Sequence, residues 1–384
     1  MHVTASTLLQ LGVTGLLAAC LPLSMVWISA DANKYHKLVW VAAFLCFDLI
    51  VFGGFTRLTD SGLGCPDWPG CYGLANPFLA HAQITAAEAI MPSGPVTVFK
   101  AWIEMIHRYL AMGIGVLILT LMAKSWLQWR RSHDRAFAPL VPTLLFGFVC
   151  LQGAFGAWTV TMKLQPIIVT THLLLGMTLL AMLVWLGGQE DNLLKPPQPD
   201  PCPDGLRQVR RLAIGSAVVL ALQIFLGGWV STNYATLACD HFPTCNGHWV
   251  PPMDFEHGFT LWRELGKTAA GHYLPFSALT AIHWVHRNFA AVVVVVLGAS
   301  IWRAWPHAAL RPTAKWMAIV LGMQALTGVA TVYLNFPLAI AVLHNAGAAL
   351  LVVLVTMLNY KAKYQLAAVH VPIRQAAAPA SLQP

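Results

Sequence analysis

Charge is what this chain has least of. Only 10% of its 384 residues are Asp, Glu, Lys or Arg, while 57% are hydrophobic. A soluble domain carries about 25% charged residues, so with a mean hydropathy of +0.63 the composition excludes one and describes an integral membrane protein. The first apolar run also lacks a basic leader, and no small-residue cleavage site precedes Asp31. No cleavable signal peptide is expected. Acidic residues are scarcer still, 15 against 23 Lys and Arg. The basic surplus sits in short loops between apolar runs, which excludes a nucleic-acid surface and reads as a topology signal.

What is there is a series of apolar runs, each near the length of about 20 residues that a helix needs to cross a bilayer. Nine are found, near 5–29, 38–58, 102–124, 138–160, 169–188, 210–231, 282–303, 313–333 and 338–358. Helices are expected because a lipid-exposed backbone must satisfy its own hydrogen bonds. Lys34 and Lys37, then Lys124, Arg130, Arg131 and Arg135, then Lys195, Arg207, Arg210 and Arg211, then Arg303, Arg311 and Lys315, and finally Lys361 and Lys363 all fall on one side. That side is cytoplasmic by the positive-inside rule. The long loops 59–101 and 232–281 then face outward, as does the N-terminus.

The chain repeats itself. Gly53-Gly54, Cys65 and Cys71 recur 174 residues later as Gly227-Gly228, Cys239 and Cys245. His107-Arg108 recurs as His286-Arg287, and Gln152, Gly156 and His172 recur as Gln324, Gly328 and His344. The expected architecture is therefore all-α: tandem four-helix bundles related by a pseudo-twofold axis along the membrane normal, plus one extra N-terminal span. In chain order this gives the extra span (1–33), a first bundle (34–188), a Pro-rich cytoplasmic linker (189–209), a second bundle (210–360) and a cytoplasmic tail (361–384).

Each bundle carries two histidines where a spanning helix normally has Leu or Val: His107 and His172, then His286 and His344. Ionisable groups inside a bilayer are costly and mark function. Two imidazoles on different helices of one bundle suit a haem iron gripped from both sides. A proton relay, a transport path or a purely structural contact would use the same residue type. Zinc is disfavoured because neither pair has further ligands of the right kind nearby. Arg108 and Arg287 each follow a histidine, and Arg57 ends its run. Each is a candidate for a bidentate bond to a haem propionate, or for snorkelling to lipid headgroups.

Cys65 and Cys71 share one outer loop, and Cys239 and Cys245 the other. In an oxidising compartment two local disulfides are the simplest pairing, although four cysteines permit three connectivities. The first pair reads as a structural clamp or a redox couple. Cys20, Cys46, Cys150 and Cys202 are expected to stay reduced. Asp48 lies near mid-membrane without a counterpart in the second copy, and a hydrogen bond to a neighbouring helix is expected for it. Trp68, Trp249 and Trp262 fit interfacial anchoring.

The stretch Gly53-Gly54-Phe55-Thr56-Arg57-Leu58-Thr59-Asp60-Ser61-Gly62-Leu63, followed by Cys65-Pro66-Asp67-Trp68-Pro69-Gly70-Cys71, resembles the first outer-loop signature of the haem A synthases. Glu104-x-x-His107-Arg108 is similar to their first-bundle site, and the duplicated plan matches over roughly 38–360. The resemblance implies oxidation of the C8 methyl group of haem O to a formyl group, giving haem A for terminal oxidases in a bacterial inner membrane. It further implies that His107 and His172 flank the substrate haem O and that His286 and His344 hold a haem b cofactor. Glu104, one turn from His107 on the same helix face and matched by His283 in the second copy, is the candidate catalytic residue. The alternative is that it only accepts a hydrogen bond or pairs with an arginine such as Arg108. Membrane lipid, haem O synthase, oxidase assembly factors and an electron acceptor are the implied partners, with a homo-oligomer left open. The competing readings are a quinol-linked di-haem electron-transfer cytochrome and a haem or proton transporter. A pure electron carrier calls for equivalent sites, yet Glu104 in one copy stands against His283 in the other.

Overall fold

The computed structural model describes residues 4–133, 139–194, 200 and 202–369. Within them the chain forms α1 (Ala5–Ile28), α2 (Lys34–Leu58), α3 (His81–Ile90), α4 (Val98–Ser132), α5 (Leu140–Thr161), α6 (Pro166–Leu194), α7 (Pro203–Thr232), α8 (Phe255–Gly258), α9 (Phe276–Ala304), α10 (Arg311–Tyr333) and α11 (Leu338–Val369). Among the described residues, nine of these are long and apolar enough to cross a membrane, and α3 and α8 lie in the two outer loops. Arg135, Lys195, part of the 189–209 linker and the end of the 361–384 tail lie outside the described residues.

Local chemistry sets the helix starts. Thr4, Asn33 and Thr97 cap α1, α2 and α4 by accepting the N–H of Thr7, His36 and Lys100, the role a short polar side chain plays at an N-cap. Proline opens α7 and α10, where its missing N–H costs nothing. At 35 residues, α4 reaches about 52 Å. That exceeds the apolar thickness of a bilayer, so its basic end, Arg130 and Arg131, projects past it.

The duplication extends to the backbone. Asp60, Tyr72, Lys163 and Leu164 adopt left-handed φ values of 51°, 53°, 51° and 56°, and their repeat partners Tyr234, Asn246, Asn335 and Phe336 adopt 54°, 51°, 52° and 62°. None of the eight is a glycine, the residue that usually takes this conformation. The turns after α2 and between α5 and α6, with their second-copy equivalents, are thus built alike in spite of different sequences.

A seam of α2, α6, α7 and α11 joins the two halves, and one continuous apolar core runs through both. A Cβ placed on Gly54 would lie 3.4 Å from Asn345 Cβ, and one on Gly228 would lie 3.0 Å from Leu173 Cδ2. Asn345 and Leu173 are themselves repeat partners, so the seam is made twice by the same contact. Arg57 crosses it, donating through Nη2 to Ser231 O at 2.7 Å and pairing through Nη1 with Asp60 at 3.2 Å. The Tyr234 ring covers the guanidinium at 4.1 Å, and its hydroxyl donates to Asp60 at 2.7 Å.

Asp48 corrects one expectation. The buried face of α2 includes Leu38, Val39, Ala42, Ala43 and Cys46. Two residues beyond Cys46 is about 200° around the helix, so Asp48 points away from the bundle. It is exposed and has no hydrogen-bond partner among the described residues.

Candidate functional site

Helix α4 delivers Glu104, His107 and Arg108 beneath the first outer loop. Glu104 is buried, only 4% exposed. Its Oε2 accepts the backbone N–H of Cys65 at 2.8 Å, and its Oε1 accepts from Arg108 Nη2 at 2.5 Å. Arg108 Nη1 donates to the carbonyls of Asp67, Pro69 and Gly70 at 3.0, 3.2 and 2.6 Å. Hydrogen bonds to a charged group are each worth roughly 1.5–3 kcal/mol, so this cluster pins the loop to the helix. The loop is closed by the Cys65–Cys71 disulfide, and Asp67 caps its turn by accepting from the Tyr72 and Gly73 N–H groups.

The second bundle repeats the clamp. Arg287 donates to the carbonyls of His241, Pro243 and Thr244 at 2.9, 3.0 and 3.3 Å, and Cys239–Cys245 closes that loop. These three carbonyls are the repeat partners of the three that Arg108 holds. The arginines therefore have a role that neither propionate binding nor snorkelling describes: they fasten a disulfide loop over each bundle. His283 stands in the place of Glu104, buried, with Nδ1 unpartnered.

Each of the four paired histidines rests on a glycine of the adjoining helix. A Cβ on Gly53 would lie 2.9 Å from His107 Cε1, one on Gly156 3.2 Å from His172 Cε1, one on Gly227 2.9 Å from His286 Cε1 and one on Gly328 3.3 Å from His344 Cε1. The glycines mark the repeat in the sequence, but their use as seats for the rings shows only in three dimensions. His107 and His172 lie within charge–charge range of each other, as do His286 and His344. Phe52 stacks on His107 with ring centroids 6.1 Å apart.

These residues fit a haem. Two imidazoles from different helices lie within charge–charge range in each bundle, each ring edge set close against a glycine where an added Cβ would crowd it. Nδ1 of His107 and of His172 is buried without a partner, a costly arrangement unless the ring has other work. Cys20, Cys46, Cys150 and Cys202 are free, as expected.

Fold and site together define a multi-pass helical membrane protein with a duplicated pair of buried histidines, a donor set that suits haem. The profile of the cytochrome oxidase assembly protein family matches residues 36–356. The heme A synthase of Shewanella oneidensis is 36% identical over 329 residues, covering 84% of this chain and 96% of that protein. Those of Rhizobium etli and Rhizorhabdus wittichii are 30% and 28% identical, covering 83% and 84% of this chain and 87% and 92% of theirs. The chain belongs to the haem A synthase family of cytochrome oxidase assembly proteins. It is an oxidoreductase that spans a bacterial inner membrane many times. Helix α1 lies wholly outside the matched region.

Proposed function

We propose that this enzyme oxidises the C8 methyl group of haem O to a formyl group, giving haem A, with haem O held between His107 and His172 and a resident haem b between His286 and His344. The observation that carries the assignment of roles is the break in an otherwise duplicated frame. Loop clamps, glycine seats and turns all repeat, yet Glu104 faces His283 across the repeat. Two haem sites that differ beside one ligand are suited to two tasks, chemistry in the first and electron relay in the second.

Haem held by these histidines would supply one-electron redox chemistry at both sites. The protein supplies the rest. Glu104 sits one turn from His107, on the same face of α4. Its oxygens hold the Cys65 N–H and Arg108, and each retains a lone pair able to take a proton as the methyl carbon is oxidised. Burial strengthens the attraction of that carboxylate for developing positive charge. Arg108 keeps Glu104 oriented and couples it to the loop above. The disulfide loop is held against α4 by Glu104 and Arg108.

The test is pigment extraction from a host that makes haem O, with and without this protein. Haem A is expected only with it. Continued accumulation of haem O alone, with folded and haem-loaded protein in the membrane, overturns the assignment.

A further inference from the structure

The two bundles share turns, glycine seats and loop clamps, yet they differ in what faces Nδ1 of the paired histidines. In the second bundle Thr327 Oγ1 lies 2.9 Å from His344 Nδ1. The hydroxyl is also 2.9 Å from Met323 O. Donating its proton to that carbonyl leaves its lone pairs for the imidazole. Gln223 Nε2 donates to His286 O at 3.2 Å and lies 3.3 Å from His286 Nδ1, with its own Oε1 buried and unpartnered. That donation anchors the backbone of the ligand histidine next to its Nδ1 and leaves Thr327 as the acceptor seen at a ring nitrogen. In the first bundle Nδ1 of both His107 and His172 is buried with no partner. The difference is written in the chain: 172 residues before Thr327 stands Phe155, and 174 before Gln223 stands Leu49.

An imidazole that binds iron through Nε2 carries its proton on Nδ1. An acceptor at Nδ1 fixes that tautomer, holds the ring plane and raises the electron-donor strength of Nε2. We propose that Thr327 and Gln223 are positioning residues that make the second bundle a retaining site, and that Phe155 and Leu49 make the first a releasing one. The inference rests on the reading of haem b as resident in the second bundle and haem O as substrate in the first. It gives that division a physical cause. A cofactor site gains from strong, fixed ligands, whereas a substrate site must let its product go after every turnover.

The experiment uses the purified, haem-loaded protein and measures the rate of haem loss to excess apomyoglobin and the midpoint potential of the bound haem b. Thr327→Val keeps the shape of the side chain and removes the hydroxyl. It is expected to lose haem faster by on the order of 10-fold, with a higher midpoint potential because weaker donation favours the ferric state less. Thr327→Ser, which keeps the hydroxyl, is expected to restore both values. Gln223→Leu, which copies the first bundle, should shift both in the direction of Thr327→Val, and decides the matter if the valine variant does not fold. Wild-type loss rates and potentials in these variants overturn the proposal. His344→Ala separates the two readings: if it keeps a normal b-type spectrum, the assignment of the resident haem fails. If it loses the haem while Thr327→Val and Gln223→Leu behave as wild type, only the retention inference fails.

Discussion

The backbone N–H of Cys65 donates to Glu104 Oε2 at 2.8 Å, so that a disulfide loop and a carboxylate on α4 are joined directly. Glu104 is thereby held by the loop as well as by Arg108. In Glu104→Gln the amide keeps the size and can still accept from Cys65 through its oxygen, but the charge is gone. Folded protein with a normal haem b spectrum is expected, with haem A production reduced by about 100-fold, within the range a general acid–base group contributes. Haem O or its hydroxylated intermediate should accumulate. Haem A made at the wild-type rate removes Glu104 from the chemistry.

The glycine seats give a second prediction with a built-in control. Gly227 and Gly53 stand at matching places, each with a Cβ position 2.9 Å from its histidine ring. An added methyl at that distance must displace the ring, and overpacking of this kind costs about 1–3 kcal/mol. Gly227→Ala should lower the haem b content of purified protein and alter its low-spin spectrum. Gly53→Ala should leave that spectrum intact and reduce haem A formation instead. Identical spectra and activities in both variants would show that the rings do not depend on their seats.

Much of this was legible in the chain. Apolar length marks the nine spans, and matched spacing exposes the repeat, because both follow from short-range rules. The pairing of Cys65 with Cys71 and Cys239 with Cys245 was the simplest choice from spacing alone, and the structure has it. What the sequence hid were contacts set by how one helix faces another. Arg108 and Arg287 looked like propionate or lipid ligands, and only the loop fold brings three carbonyls onto each. Asp48 looked like a bonded core carboxyl, and only the buried stripe of α2 shows that it faces outward. The helices α3 and α8 lie inside the outer loops, where α3 is short and buries only Ile84 and α8 is a single turn capped by Asp254.

Topology follows from basic residues that the helices carry to their ends. Reporter tags near Arg130, Gly205 and Trp305 are expected to read as cytoplasmic, and tags near Asn76 and His257 as periplasmic. Asn76 adjoins the first disulfide loop and His257 lies in α8 of the second, so both periplasmic tags also report on where the disulfides form. A periplasmic signal near Arg130 inverts the whole arrangement.

Helix α1 has no partner in the repeat, yet it touches the machinery. Thr7 Oγ1 donates to Gly73 O at 3.0 Å, and Leu11 packs into the cluster that holds Cys65, Cys71 and Met105. Lower down, a Cβ on Gly15 would lie 3.0 Å from Met112 Cβ, and one on Gly113 3.1 Å from Ala18 Cβ. Small residues at a crossing let helix backbones approach, which is how helices associate in a bilayer where the hydrophobic effect gives no preference. The extra span therefore acts as a strut under the first outer loop, and among the described residues it packs on α4 and α2 of the first bundle. Gly15→Leu cannot be accommodated without moving α1 away from α4, which loosens the Thr7 and Leu11 contacts above. In that variant the Cys65–Cys71 bond should be reduced faster than in wild type by a membrane-impermeant thiol, followed by mass-tagging of the freed cysteines. Cys239–Cys245, far from α1 in the repeat, should be reduced at its wild-type rate and serves as the control within the same molecule. Equal wild-type rates at both bonds would mean that α1 does not support the loop. Acceleration at both would mean that the substitution unsettles the whole protein.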